Sequence, residues 1–574
     1  GQDGSLLLWA WLLAVLSFLA LKKQSQVPVP YMPHLISVLA SIVFFFLLLL
    51  VGAADPFEKL PFASRDGLGL NPLLQNPEMI FHPPILYIGY VGYSIPFAYA
   101  VAAMWSGSLE SGWLAQVRRW SLFSWYFLGL GILLGAQWAY VELGWGGYWS
   151  WDPVENASLM PWLTGTALLH CVMVQERRGI MRAWNMALIV MTFGLTIFGT
   201  FITRSGVISS VHAFGKSALG YYFLVCLAAI ATCSVVLLHK RWRELRVGQE
   251  AENVASREGG IKVTSLLLVG ASFAIFWGTI LPALSEGLRS VKMTVGPVFY
   301  NRVNVPIGLG VLFLLGFCPQ LLWQRTDRVS LQRNLILPLL AALCSVVVLA
   351  AGEIRHPWAF ASYTLAAFAL MASGRELLRR RRRRDQREKG RGGIQPGVIS
   401  YSRIRHRGGY LVHTGMILIF VGITGSSAYK KESQVTLHRG ESANIGHYTI
   451  RYDGVTVNQA ADKEVHSAAL TLYDEGKPAG ILRPERNFYY SHPREPTAEV
   501  AIRSSLKGDI YAVLTNYESN GEMATLHLVL NPLVSWLWIG GVVMTVGWIV
   551  VMYAERRTAG SRAASVIEPA EQEG

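Results

Sequence analysis

The run LISVLASIVFFFLLLLV at residues 35–51 contains no charged residue and is close to the length an α-helix needs to cross a bilayer core. Further runs of this kind recur along the chain, at 5–21, 84–104, 122–141, 161–175, 184–201, 221–238, 264–284, 305–323, 335–351, 358–372, 409–425 and 532–552. A single such run fits inside a soluble core, but 13 of them do not. A segment in lipid must satisfy its own backbone hydrogen bonds, so the pattern predicts an all-α polytopic membrane protein of about 13 transmembrane helices. Composition agrees, at 52% hydrophobic against 15% charged residues.

The basic residues orient these spans. One set of loops holds Lys22, Arg118, Arg177, Arg241, Arg325, the run from Arg379 to Arg384, and Arg556. That side carries 32 of the 51 Lys and Arg, and the other carries 19, of which eleven lie in one segment near the C-terminus. Basic loops are cytoplasmic, which predicts an extracytoplasmic N-terminus and a cytoplasmic C-terminus. The net charge of +14 is therefore read as a topology signal and contact with anionic lipid, not as a nucleic-acid site. The five cysteines all sit in apolar runs without a CxxC pair, so neither a disulfide framework nor a zinc site is expected.

The division of the chain follows: a multi-span helical domain over 1–426, an extracytoplasmic domain over 427–531, and a last span with a cytoplasmic tail over 532–574. Within 427–531 the segments HYTIRYDGVTV, HSAALTLY, EVAIRSS, DIYAVLTNY and ATLHLVL alternate or are β-branched, which predicts a small β domain.

The segment 142–162 on the outer face includes WGGYWSWDPVENASLMPW, which crowds Trp145, Tyr148, Trp149 and Trp151 together. Asp152, Pro153 and Glu155 form the signature of a capped helix starting at Pro153, expected to end near Pro161 where the next span begins. Gly144, Gly146 and Gly147 allow tight turns, so the rings can form a slab. One reading is an interfacial aromatic belt; the other is a platform for a large flat apolar ligand such as a porphyrin. Glu142 beside Asp152 and Glu155 suggests an acid pair, but the cap accounts for the last two more simply.

A porphyrin iron needs axial ligands, and neutral imidazole supplies them. His82 and His212 are placed in outer-face loops on either side of the aromatic stretch. Each alone reads as an ordinary loop histidine; together they are candidate ligands. His170 and His413 fall inside apolar spans, where ionisable groups are costly. They read either as a bis-histidine haem site or as buried histidines bonded to neighbouring helices.

The stretch WGGYWSWDPVENASLMPWL resembles the tryptophan-rich WWD motif of the haem-handling membrane protein superfamily. FHPPILYIGYVG, LLHCVMVQERRG and SSVHAFG are similar to the histidine segments of the CcmF family of cytochrome c maturation proteins. The resemblance implies that Trp145, Trp149, Trp151 and Asp152 belong to a haem platform whose axial ligands are His82 and His212. It implies that His170 and His413 ligate a resident haem b in the membrane, with transient haem as substrate at the WWD surface. Tyr148 stands where members of the family often carry another Trp, and the resemblance leads one to expect that about two of the family's N-terminal spans are absent from this chain.

The implied activity is haem lyase chemistry in the bacterial inner membrane. Haem from the holo chaperone CcmE is attached to the CxxCH cysteines of apocytochrome c, with CcmH and CcmI type components as partners. Membrane quinol is the implied electron donor to the haem iron. The competing readings are a haem exporter, a haem-loading protein of the CcmC type and a generic multi-span transporter.

Overall fold

The structure is a computed structural model that describes residues 1–22, 31–59, 61–63, 67, 69–109, 112–207, 210, 217–246, 255–388 and 396–567. His212 lies outside the described residues. Among them, 12 helices are long and apolar enough to cross a membrane. The thirteenth expected segment, 358–372, lies within the 32-residue helix Pro357–Glu388, where Ser362, Tyr363 and Thr364 dilute the apolar run and a basic stretch follows.

The chain divides into two compact units. The first comprises Gly1–Phe62, His82–Ile132 and Trp149–Asn334, and the second comprises Ala63–Phe81, Leu133–Tyr148 and Leu335–Gly574.

In the first unit, aromatic stacking ties the helices together. Trp9 and Phe46 stack at 3.8 Å, and Phe97 and Phe193 at 4.3 Å. The helices Pro153–Arg178 and Arg182–Ser205 form a hairpin whose turn opens with Gly179 in the left-handed region at φ 72°. Buried Asn185 closes it by donating to the Cys171 carbonyl and to Gln175 Oε1. The expected span at 84–104 lies within the single 29-residue span Glu78–Ser106, whose helix is interrupted at Tyr93 into Glu78–Gly92 and Ser94–Ser106. Pro96 has no N–H for the Gly92 carbonyl, and the ladder breaks there.

The helix that begins at Pro153 does not stop at Pro161, as the sequence suggests. It runs unbroken to Arg178. A broken backbone would leave polar groups exposed to lipid, which costs more than the single bond Pro161 forfeits.

In the second unit, two helices frame the β domain. Pro396–Ala428 leads into it and Ser535–Ile567 leaves it. They pack backbone to backbone through glycine: a Cβ on Gly415 would lie 2.6 Å from the Gly540 carbonyl oxygen, and one on Gly547 would lie 2.6 Å from Val412 N.

Between them run ten strands: β1 (Lys431–His438), β2 (Ser442–Ile445), β3 (Tyr448–Gln459), β4 (Lys463–Asp474), β5 (Lys477–Leu482), β6 (Glu485–Tyr489), β7 (Thr497–Glu499), β8 (Ala501–Arg503), β9 (Gly508–Tyr517) and β10 (Met523–Pro532). One sheet has the order β1-β10-β9-β8; the other has β2-β3-β4-β6-β7, with β5 pairing β4. Alternate residues fill the sandwich core, including Ile450 and Tyr452 of β3, Leu470 and Leu472 of β4, Ala512 and Leu514 of β9, and Leu526 and Leu528 of β10. The intervening residues Tyr511, Val513 and Val529 are also buried, on the opposite face. A strand buried on both faces has no need to alternate, and β9 reads as a nearly continuous apolar run.

Candidate functional site

The aromatic stretch is shared between the two units, with the division falling after Tyr148. In the second unit, the helix Trp113–Glu142 ends in a loop in which Gly144 and Gly146 have φ of 71° and 70°. The loop rests on the outward face of β9 and β10. The Gly146 carbonyl accepts from Asn531 Nδ2 at 3.1 Å, and a Cβ on Gly146 would lie 2.7 Å from Val529 Cγ2. The same Asn531 amide donates to Tyr140 Oη at 3.1 Å, and Tyr140 donates onward to Asp509 Oδ2 at 3.4 Å. Burial pushes the Asp509 carboxyl above its ordinary range, against the lowering effect of hydrogen bonds from Ser504, Ser505, Ser535 and Tyr140. The Trp145 ring covers Gly147, where a Cβ would lie 2.9 Å from Trp145 Cε3. The Tyr148 hydroxyl is 2.8 Å from Ser426 Oγ. Glu142 is buried and accepts from Asn76 Nδ2 at 2.7 Å.

In the first unit, the expected cap is present in full. Val154 N donates to Asp152 Oδ2 at 2.9 Å, and Asp152 N donates to Glu155 Oε2 at 3.0 Å. Trp149 and Trp151 meet edge to face at 86°, with centroids 6.0 Å apart, so these two rings form a corner and not the flat slab expected. Trp151 is in the left-handed region at φ 60°. Tyr300 stacks on it at 5.0 Å and 10°, and Asn301 Oδ1 accepts from its indole N–H at 2.9 Å. Asn156 donates to the Trp151 carbonyl and to Thr279 Oγ1.

His82 is on the helix Glu78–Gly92, not in a loop. Its Nδ1 lies 2.8 Å from the Gly131 carbonyl oxygen. A carbonyl only accepts, so Nδ1 carries the proton and Nε2 is the basic nitrogen. This contact depends on Gly131, where a Cβ would lie 2.6 Å from Leu86 Cα. His170 has the same tautomer, because its Nδ1 lies 2.8 Å from the Thr166 carbonyl. Thr166 is itself held by Trp125, whose indole donates to its hydroxyl at 2.7 Å. Each carbonyl fixes the orientation of its imidazole ring through Nδ1. In the second unit, His413 meets the Tyr410 ring edge-on at 6.2 Å.

Several contributors had no local signal in the sequence. Tyr300, Asn301 and Asn531 are far from the residues they hold. Ser210 donates to Asp152 Oδ2 at 2.7 Å. Arg204 is buried and donates to Ser5 Oγ and Tyr87 Oη. Arg204 stands in the last turn of its helix, past the expected span 184–201, so nothing in the sequence singled it out.

The fold defines a polytopic membrane protein with a β-sandwich domain, and comparison with known families places it among the proteins of cytochrome assembly. The Cytochrome C assembly protein family matches residues 2–209, and the CcmF C-terminal beta-sandwich family matches 428–532. The cytochrome c-type biogenesis protein CcmF of Haemophilus influenzae is 36% identical over 566 residues, covering 97% of this chain and 85% of that protein. The Escherichia coli CcmF is 34% identical over 565 residues, covering 97% and 84%. A solved structure of the cytochrome c haem lyase CcmF superposes with a TM-score of 0.77 at 29% identity, covering 96% of this chain and 82% of that one. The chain belongs to the CcmF family, and its role is cytochrome c-type biogenesis in the bacterial inner membrane.

Proposed function

We propose that the protein accepts haem at its aromatic segment and promotes thioether attachment to apocytochrome c. Each cysteine S–H adds across a haem vinyl group: the C–S bond forms, the proton goes to the other vinyl carbon, and no net oxidation occurs. The thiols must be reduced. His82 and His212 are the axial ligands of the arriving haem, and Trp145, Trp149, Trp151 and Asp152 shape its seat. Their contribution is to hold the vinyl edge against the two thiols. The N-terminus and β domain are extracytoplasmic and the C-terminus cytoplasmic, so haem arrives from a CcmE-type chaperone on the outer side. CcmH and CcmI type components deliver the apocytochrome.

His170 and His413 would hold a resident haem b. When bound there, it supplies one-electron transfer from quinol toward the arriving haem iron. The imidazoles fit the role: His82 and His170 both donate Nδ1–H to a backbone carbonyl at 2.8 Å and so present basic Nε2, which is the observation that carries the proposal.

The test is an absorption spectrum with pyridine haemochrome analysis of the purified protein from haem-replete cells. The expected result is a b-type signal lost in His170→Ala and in His413→Ala, with a second, exchangeable haem lost in His82→Ala. Haem-free protein overturns the proposal. Release of haem to an apocytochrome without a cytoplasmic haem supply separates ligation from export.

A further inference from the structure

The outer face of an antiparallel sheet in a β-sandwich is ordinarily solvated and polar. Here the outer face of β9 and β10 is apolar and covered, with Tyr511, Val513 and Val529 all buried. What covers it is the end of the helix Trp113–Glu142 and the loop that carries Trp145. The loop has little freedom there. Gly144 and Gly146 are both left-handed, a Cβ on Gly144 would touch Ala498 and Val513, and one on Gly146 would collide with Val529. At the centre, buried Asn531 spends its amide on the Gly146 carbonyl and on Tyr140.

We infer that Asn531 is a positioning residue for haem acceptance, and that the β-sandwich acts through it as the jaw that sets where Trp145 stands. The inference rests on the reading of the aromatic segment as a haem seat. Asn531 touches no substrate. It fixes a left-handed loop whose carbonyl would otherwise be left without a donor in a buried setting, which is costly. A displaced Gly146 moves Trp145 and Gly147 with it, since that ring lies directly over Gly147.

The test uses the purified full chain and titrates it with haem. Asn531→Asp keeps the side-chain volume but cannot donate to the Gly146 carbonyl. Gly146→Ala displaces the same loop from its own side and leaves the sandwich sequence intact. Haem affinity is read from the Soret titration, and ring placement from Soret-band circular dichroism, which responds to aromatic rings close to the porphyrin. Amide hydrogen exchange over 508–532 reports whether the sandwich still folds.

The expected result is about tenfold weaker haem binding and an altered Soret dichroism in both variants, with exchange protection of the sandwich unchanged in Gly146→Ala. Trp145→Leu is the companion control. If it weakens haem binding while Asn531→Asp and Gly146→Ala leave affinity and dichroism as they were, the positioning role is overturned and the haem seat stands. If all three variants bind haem like the parent, the haem seat itself is refuted and the positioning role with it.

Discussion

Ser210 donates its hydroxyl to Asp152 Oδ2 at 2.7 Å, and the same oxygen caps the helix Pro153–Arg178 through Val154 N. One carboxylate thus starts a helix and holds the Ser210 side chain. Ser210→Ala removes a hydrogen bond to a charged group, worth about 1.5–3 kcal/mol. Asp152→Ala removes that bond and the cap, the latter adding about 1 kcal/mol. The two should be strongly non-additive in a double-mutant cycle read by thermal unfolding. Additive losses would show that the bond does not form in the membrane protein.

Trp151 keeps a strained backbone because its ring is held from the far side. Tyr300 stacks on it, and Asn301 takes its N–H. Tyr300→Phe preserves the stack and loses the long contact of the hydroxyl with Thr279 Oγ1 at 3.5 Å, a cost of about 0.5–1.5 kcal/mol. Tyr300→Leu removes an aromatic pair worth about 0.5–1.5 kcal/mol beyond its buried area. Since that releases a ring of the proposed haem seat, haem affinity should fall in Tyr300→Leu and not in Tyr300→Phe. Equal affinity in both variants would remove Tyr300 from the account of the site.

The parts legible in the sequence were the local ones. Asp152, Pro153 and Glu155 encode the cap within four residues, and it is present with both of its hydrogen bonds. The alternation of Leu526, Leu528 and Leu530 announced a strand before any partner was known. Where two signals competed, the membrane prevailed: Pro161 is a stop signal in water, yet the helix passes through it. What could not be read was long-range. Asn531 and Gly146 are 385 positions apart, and nothing near Trp151 points to Asn301, 150 residues on. The tautomer of His82 was hidden for the same reason, because its partner is a carbonyl on another helix.

Gly131 is the second half of the His82 arrangement. A Cβ there would lie 2.6 Å from Leu86 Cα, a backbone atom that cannot yield without moving a helix. Gly131→Ala should therefore cost about 1–3 kcal/mol by overpacking. It should also lengthen the bond from His82 Nδ1 to the Gly131 carbonyl, although His82 itself is unchanged. The expected outcome is weaker binding of the exchangeable haem and a shifted low-spin spectrum, with the resident b-type signal intact. An unaltered exchangeable haem in Gly131→Ala would mean that the carbonyl does not orient the imidazole.

Asp509 gives the protein a pH dependence of a particular sign. Burial raises its folded-state pKa above the ordinary value of 3.8, so the folded protein holds this proton more tightly than the unfolded chain. The stability from that proton is complete below 3.8 and is lost as pH rises through the folded-state value. Glu432 and Asp453 have lowered pKa values, Glu432 chiefly through its hydrogen bond from Lys430 and Asp453 because bonds from Thr471 and Arg451 outweigh its desolvation, so their contributions run the other way over the acid range. The Asp509 share must therefore be read as a difference. Asp509→Asn keeps acceptors for the Ser504 and Tyr140 hydroxyls and carries no charge. Relative to the parent, it should gain thermal stability as pH rises from 3.8 through the raised folded-state value, and keep that gain above it. Melting curves of both proteins in the same detergent at each pH supply the comparison, and a stability difference that does not grow with pH would show that Asp509 titrates normally in the folded state.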